Sequence, residues 1–172
     1  MEIIPQYGGL LVPSEVIEHL HEELSNHNRW ERANFGPPPN DTERQEIGIL
    51  YHRLVTFFRR DQYRPLLFSP SFSGCGFIEN SIGDVIAGIT LFEIKAAGRF
   101  FRSVDLRQLL VYSALNKMCS KFEFRNIGVY NPRLGICFEI SLAEICFEVS
   151  GKGADELLTD IVEAASSSGV SR

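Results

Sequence analysis

Residues 83–112 read GDVIAGITLFEIKAAGRFFRSVDLRQLLVY. An acid, Asp84, opens an apolar stretch that carries the triplet Glu93-Ile94-Lys95, and a helix-like segment follows in which Gln108 and Tyr112 stand one turn apart. Side chains alternate along a strand, so Glu93 and Lys95 project from one face while Phe92 and Ile94 project from the other into a core. Two opposite charges thus share one face of an otherwise apolar strand. An aspartate and a glutamate brought together in a partly buried site repel each other and lose water, which costs free energy unless a cation joins them. The stretch therefore points to a site for a cation, set between a strand and the helix after it.

Upstream of this stretch, Arg44 to Arg60 predicts a helix, because Ile47, Leu50, Tyr51, Leu54, Val55 and Phe58 recur at three and four. Asp41 or Thr42 is expected to cap it. Gly48 and His52 sit one turn apart beside its apolar stripe; a glycine there suggests close approach to the backbone, which would let His52 point into a site, although a lone flanking histidine is more often structural. The run Gly36-Pro37-Pro38-Pro39 breaks any helix before it. Earlier still, Pro13-Ser14 starts a helix with Val16, Ile17, Leu20 and Leu24 on one side, after a short strand or arm over Met1 to Val12. His19 and His21 do not share a helical face, so they are expected in solvent and not on a metal.

Short strands are expected at Leu66 to Phe68, Phe77 to Ile78 and Asp84 to Ile86, with Gly88 at a turn or bulge before Thr90 to Lys95. Val104 to Phe122 reads as the longest helix, capped by Ser103 or Asp105. Ile127 to Tyr130 and Leu134 to Ile140 flank Asn131-Pro132-Arg133 as a hairpin. Leu142 to Val149 fits a strand or a helix, and Ala154 to Ala165 a final helix before a frayed tail from Ser166. The pattern is α/β: one domain over residues 1–172 with a mixed central sheet flanked by helices. Residues 1–40 form an N-terminal helical extension, 44–131 the catalytic core, and 132–172 a C-terminal hairpin strand and helix.

A chain of 172 residues, 44% of them hydrophobic and 13 of them phenylalanine, buries a core without staples. The four cysteines lack the paired spacing of a zinc ribbon or an iron–sulfur clamp and are expected reduced and packed. No apolar run is long enough to span a membrane, and the N-terminus lacks a signal-peptide pattern, so a cytoplasmic protein with no membrane contact is expected. The formal charge of −5 speaks against nucleic-acid binding over the whole surface. The charge is uneven, however. Lys95, Arg99, Arg102, Arg107, Lys117, Lys121 and Arg125 face only Asp105 and Glu123 within Lys95 to Arg125, which fits either a basic patch beside the Glu-x-Lys strand or an ordinary solvated helix face.

Hydrolysing a phosphodiester takes a hard divalent cation, a positioned water and positive charge near the developing negative charge. Asp84 and Glu93 offer oxygens suited to Mg2+ or Mn2+, and the Ile94 carbonyl offers another. Lys95 is placed to hold the attacking water and to offset phosphate charge. Asp84 followed after eight residues by Glu93-x-Lys95 resembles the core of the PD-(D/E)XK nuclease superfamily, with Gly83 where that family often has proline. Gly48-x-x-x-His52 before this core and Gln108-x-x-x-Tyr112 after it resemble the RecB-like subgroup. The resemblance spans about Glu46 to Tyr130 and implies a restriction-endonuclease-like core. By its analogy His52 is a metal ligand, and Gln108 and Tyr112 line the active site and steady the DNA backbone.

The expected function is a metal-dependent DNA nuclease within a larger DNA-processing or antiviral defence assembly. Asp84, Glu93, Lys95, Gln108 and Tyr112 are its catalytic residues, and Arg99, Arg102 and Arg107 grip phosphates without reading sequence. RNA is not excluded as substrate, and a partner protein or a homodimer is expected. The competing expectation is a silent nuclease-fold subunit that docks a partner, which the acidic charge and the lack of a sequence-reading element favour.

Overall fold

The computed structural model describes residues 37–167. The arm over Met1 to Val12, the helix from Pro13, the three histidines at 19, 21 and 27, and the tail from Ser168 lie outside the described residues. The chain groups into two compact units, Met1–Phe57 and Phe58–Arg172.

The helix α1 (Asp41–Phe58), whose last residue belongs to the second unit, begins with a reciprocal cap. The Glu43 N–H donates to Asn40 Oδ1 at 3.0 Å and the Asn40 N–H donates to Glu43 Oε2 at 2.8 Å. Asn40 is therefore the cap, in place of Asp41 or Thr42, because only its side chain has the acid three residues on that returns the bond.

The second unit holds β1 (Leu66–Phe68), β2 (Ser71–Phe72), β3 (Ser81–Ile82), β4 (Val85–Ala87), β5 (Thr90–Ile94), α2 (Ser103–Cys119), β6 (Asn126–Asn131), β7 (Ile136–Ser141), α3 (Leu142–Ser150) and α4 (Ala154–Ser167). Five strands form a mixed sheet in the order β1-β4-β5-β6-β7, flanked by helices. Only β5 and β6 run parallel. A parallel pair needs a crossover, and α2 supplies it, packing back on the two strands it joins. The hairpin from β6 to β7 is present as expected, closed by the Gly135 N–H on the Asn131 carbonyl at 2.8 Å.

Phe77 to Ile78 is not a strand. Cys75 and Ile78 exchange two backbone bonds of 2.9 Å in a tight turn, and Phe77 is 64% exposed, with no face to bury. The strand of this region is β3, which pairs with β2 in a separate two-stranded sheet. The ambiguous segment from Leu142 is a helix, because Ser141 accepts the Glu144 N–H at 3.2 Å as its cap and Gly151 ends it at φ +70°.

Both faces of the sheet are covered. Leu91, Ile127 and Val129 pack with Leu109 and Leu115 of α2 on one side. On the other, Phe92 meets Phe58 and Tyr63 edge-on with ring centres 5.6 and 5.3 Å apart. Gly88 turns β4 into β5 at φ +58°, where a Cβ would strike the Gln62 carbonyl, so the turn that aligns these strands requires glycine.

Candidate active site

The β4–β5 hairpin fixes the first contact. Val85 pairs with Phe92 in antiparallel register, so one step further Asp84 comes opposite Glu93. Asp84 Oδ2 accepts the Ile94 N–H at 2.6 Å, which holds the aspartate against the end of β5. Glu93 shares a strand face with Leu91, under α2, and is only 5% exposed. Lys95 follows on the same face, and its Nζ donates to Glu93 Oε1 at 2.7 Å.

From α2, Gln108 Oε1 accepts from Lys95 Nζ at 3.0 Å, and Gln108 Nε2 donates to the Tyr112 hydroxyl at 2.6 Å. Spacing of four on a helix stacks these two side chains. The Tyr112 hydroxyl donates in turn to the Ile82 carbonyl at 3.2 Å. Glu93, Lys95, Gln108 and Tyr112 thus form one hydrogen-bonded chain, with Asp84 across from its acidic end. Burial pushes the Glu93 carboxyl above its ordinary range. The hydrogen bond from Lys95 opposes that rise, and the negative charge of Asp84 adds to it. Glu93 Oε2 is buried without a hydrogen-bond partner. A buried, unpartnered carboxylate oxygen next to a second acid is what a hard cation would satisfy.

Among the described residues no three or more His, Cys, Asp or Glu side chains gather as a metal-binding group. Two carboxylates nonetheless suit magnesium, which keeps several waters and commonly takes one or two protein carboxylates together with substrate phosphate. The donor set and the unpartnered oxygen therefore fit such an ion. His52 lies half-buried on α1, in the first unit.

The three arginines differ. Arg99 binds Asp105 through two bonds, Nη1 to Oδ2 at 2.8 Å and Nη2 to Oδ1 at 3.0 Å. Arg102 gives its N–H to the same Asp105 Oδ2 at 2.9 Å, so Asp105 caps α2 from inside its first turn. The Arg99 ion pair, first among the causes, holds the Asp105 carboxyl down at about 2. Arg102 and Arg107 are exposed.

Two residues hold this region together: Asp105, which the sequence offers only as a helix cap, and Asn131, which it offers only as part of a turn. Asp105, 2% exposed, ties the loop after β5 to α2. Asn131 is fully buried; its Nδ2 donates to the Ala97 and Arg99 carbonyls at 2.7 and 3.1 Å, and its Oδ1 accepts the Arg133 and Leu134 N–H groups at 2.9 and 3.1 Å. In the sequence, Asn131-Pro132 signals only a turn, and nothing nearby marks Asp105 as the partner of Arg99.

Compared with models of known protein families, with curated proteins and with solved structures, the chain matches none.

Proposed function

We propose that the chain is a metal-dependent nuclease of the PD-(D/E)XK kind, RecB-like in its Gln108-x-x-x-Tyr112 element, that hydrolyses DNA phosphodiester bonds as part of a larger DNA-processing or defence assembly. What carries the reading is that the residues of the motif meet in space: one hydrogen-bonded chain joins Glu93, Lys95, Gln108 and Tyr112, with Asp84 opposite Glu93. Residues far apart in sequence have no need to assemble around an unpartnered buried carboxylate oxygen unless that oxygen has a use.

Asp84 and Glu93 would hold magnesium or manganese, with the Ile94 carbonyl as the further ligand that the motif implies. When bound, such an ion supplies a Lewis acid for the phosphate and lowers the pKa of a coordinated water. The protein's own groups do the rest. Lys95 keeps two of its ammonium hydrogens on Glu93 and Gln108, and the third is left to orient the attacking water and to meet charge that builds on the phosphate oxygens. Its side chain is 24% exposed, so a phosphate can approach it. Arg102 and Arg107, both exposed, supply phosphate contacts that fix the strand without reading bases, whereas Arg99 serves the loop through Asp105.

Cleavage of labelled DNA and RNA oligonucleotides, single- and double-stranded, with Mg2+ or Mn2+ tests the reading. The wild type should cut in a metal-dependent way, and Glu93→Ala or Lys95→Ala should lose at least about 100-fold in rate, as removal of a group that meets transition-state charge does. Cleavage unchanged in both variants would reject the assignment. Binding of DNA with no cleavage would favour a docking subunit.

A further inference from the structure

The chain of bonds from Lys95 through Gln108 and Tyr112 to the Ile82 carbonyl begins at a group that can only donate and ends at one that can only accept. An ammonium has no lone pair, so the amide atom that faces Lys95 is Gln108 Oε1. That turns Nε2 toward Tyr112, whose hydroxyl must accept, and sends the hydroxyl hydrogen to Ile82. Only this arrangement of hydrogens satisfies all three bonds. The Tyr112 hydrogen is thereby engaged inside the protein, and the residue is 8% exposed.

We infer that Tyr112 is a positioning residue: it anchors the Gln108 amide from the side away from Lys95 and through it steadies the place of Lys95, and it donates nothing to the nucleic acid. The small sheet is the clamp that fixes it. Phe72 of β2, fully buried, stacks on the Tyr112 ring with centres 5.3 Å apart and planes 12° from parallel, while Ile82 of β3 takes the hydroxyl. The ring face and the hydroxyl are thus held by two paired strands, β2 and β3, that lie outside the five-stranded sheet. Without the hydroxyl, the Gln108 NH2 loses its acceptor, and the bond from Lys95 alone is left to hold the amide in place. The catalytic consequence rests on the nuclease reading, but the coupling itself needs neither metal nor substrate.

Tyr112→Phe keeps the ring on Phe72 and removes only the hydroxyl. Amine acetylation of the metal-free protein, read peptide by peptide by mass spectrometry, should go about tenfold faster at Lys95 in this variant, the factor that one hydrogen bond to a charged group is worth. Exposed Lys121 serves as the internal standard. A glutamate at 108 offers an acceptor in either orientation. In a Gln108→Glu background, then, adding Tyr112→Phe should leave Lys95 labelling as it was, and this second pair decides the matter should the single variant fold poorly. In the cleavage assay Tyr112→Phe should lose about tenfold in kcat at unchanged KM. Equal Lys95 labelling with and without the hydroxyl would overturn the inference, and so would a rise in KM at unchanged kcat, which would put the hydroxyl on the nucleic acid. A wild type that cuts nothing would remove the nuclease reading while the labelling still decides the coupling.

Discussion

Replacing Glu93 by glutamine should make the metal-free protein more stable, even though it removes a residue central to the site. Glu93 is 5% exposed, leaves Oε2 without a partner and faces the charge of Asp84. Glutamine has the same shape, keeps an oxygen for Lys95 and exchanges the charge that repels Asp84 for a neutral amide. The amide NH2 at the Oε2 position stays without a partner, but leaving a buried charge unpartnered costs about 1–3 kcal/mol more than leaving a neutral group so, and a weaker bond to Lys95 takes back part of that, so a net gain of about 1 kcal/mol is expected. For a chain of this length that corresponds to a rise of roughly 2–4 °C in Tm.

The pH dependence gives the sign a second check. The folded-state value of the Glu93 carboxyl lies above its unfolded one, so the penalty is full above the folded value and absent below the unfolded value of about 4.3. The advantage of glutamine should therefore be present at pH 7 and gone below about pH 4. Thermal unfolding followed by circular dichroism, with chelator present, measures both. A variant less stable than the wild type at pH 7, or one with the same gain at both pH values, would refute the reasoning.

Asp105→Asn should lower Tm at pH 7, because the folded carboxyl sits at about 2 beside Arg99. That contribution is present above the unfolded value and is lost as pH falls through about 2, so the difference from wild type should shrink between pH 4 and pH 2 in the same unfolding experiment. Gly128→Ala should cost about 1–3 kcal/mol or block folding, since overpacking costs that much in a filled core. A Cβ there would lie 2.6 Å from Phe92 Cδ1 and 3.0 Å from the Phe138 carbonyl, and denaturant titration reads the loss. Asn131→Ala removes four hydrogen bonds and strands buried partners, for a loss of about 1–3 kcal/mol. Hydrogen exchange should speed up at Arg133 and Leu134 first.

Much of this arrangement could be read from spacing. The alternation along Thr90 to Lys95 fixed which charges share a face, and the spacing of four between Gln108 and Tyr112 fixed that they stack, because both follow from backbone geometry alone. The β6–β7 hairpin and the helix through Leu109 and Leu115 were legible for the same reason. What escaped depends on contacts between distant residues or on very short elements. Strands β2 and β3 have two residues each, too few for any period to register. The basic character of Arg99 is plain in the sequence, but its engagement by Asp105 across a loop is not. The apolar run from Leu142 suits either element, and the outcome turned on the serine before it and the glycine after it. Asn40 was hidden as a cap by the acidic residue next to it.

Titration of the protein with Mn2+, followed by electron paramagnetic resonance, asks most directly whether the two carboxylates share an ion. The wild type should take up manganese, and Asp84→Asn and Glu93→Gln should each weaken uptake at least about tenfold, in keeping with the loss of one hard ligand. Uptake that persists at full strength in both variants, or none in the wild type, would contradict it.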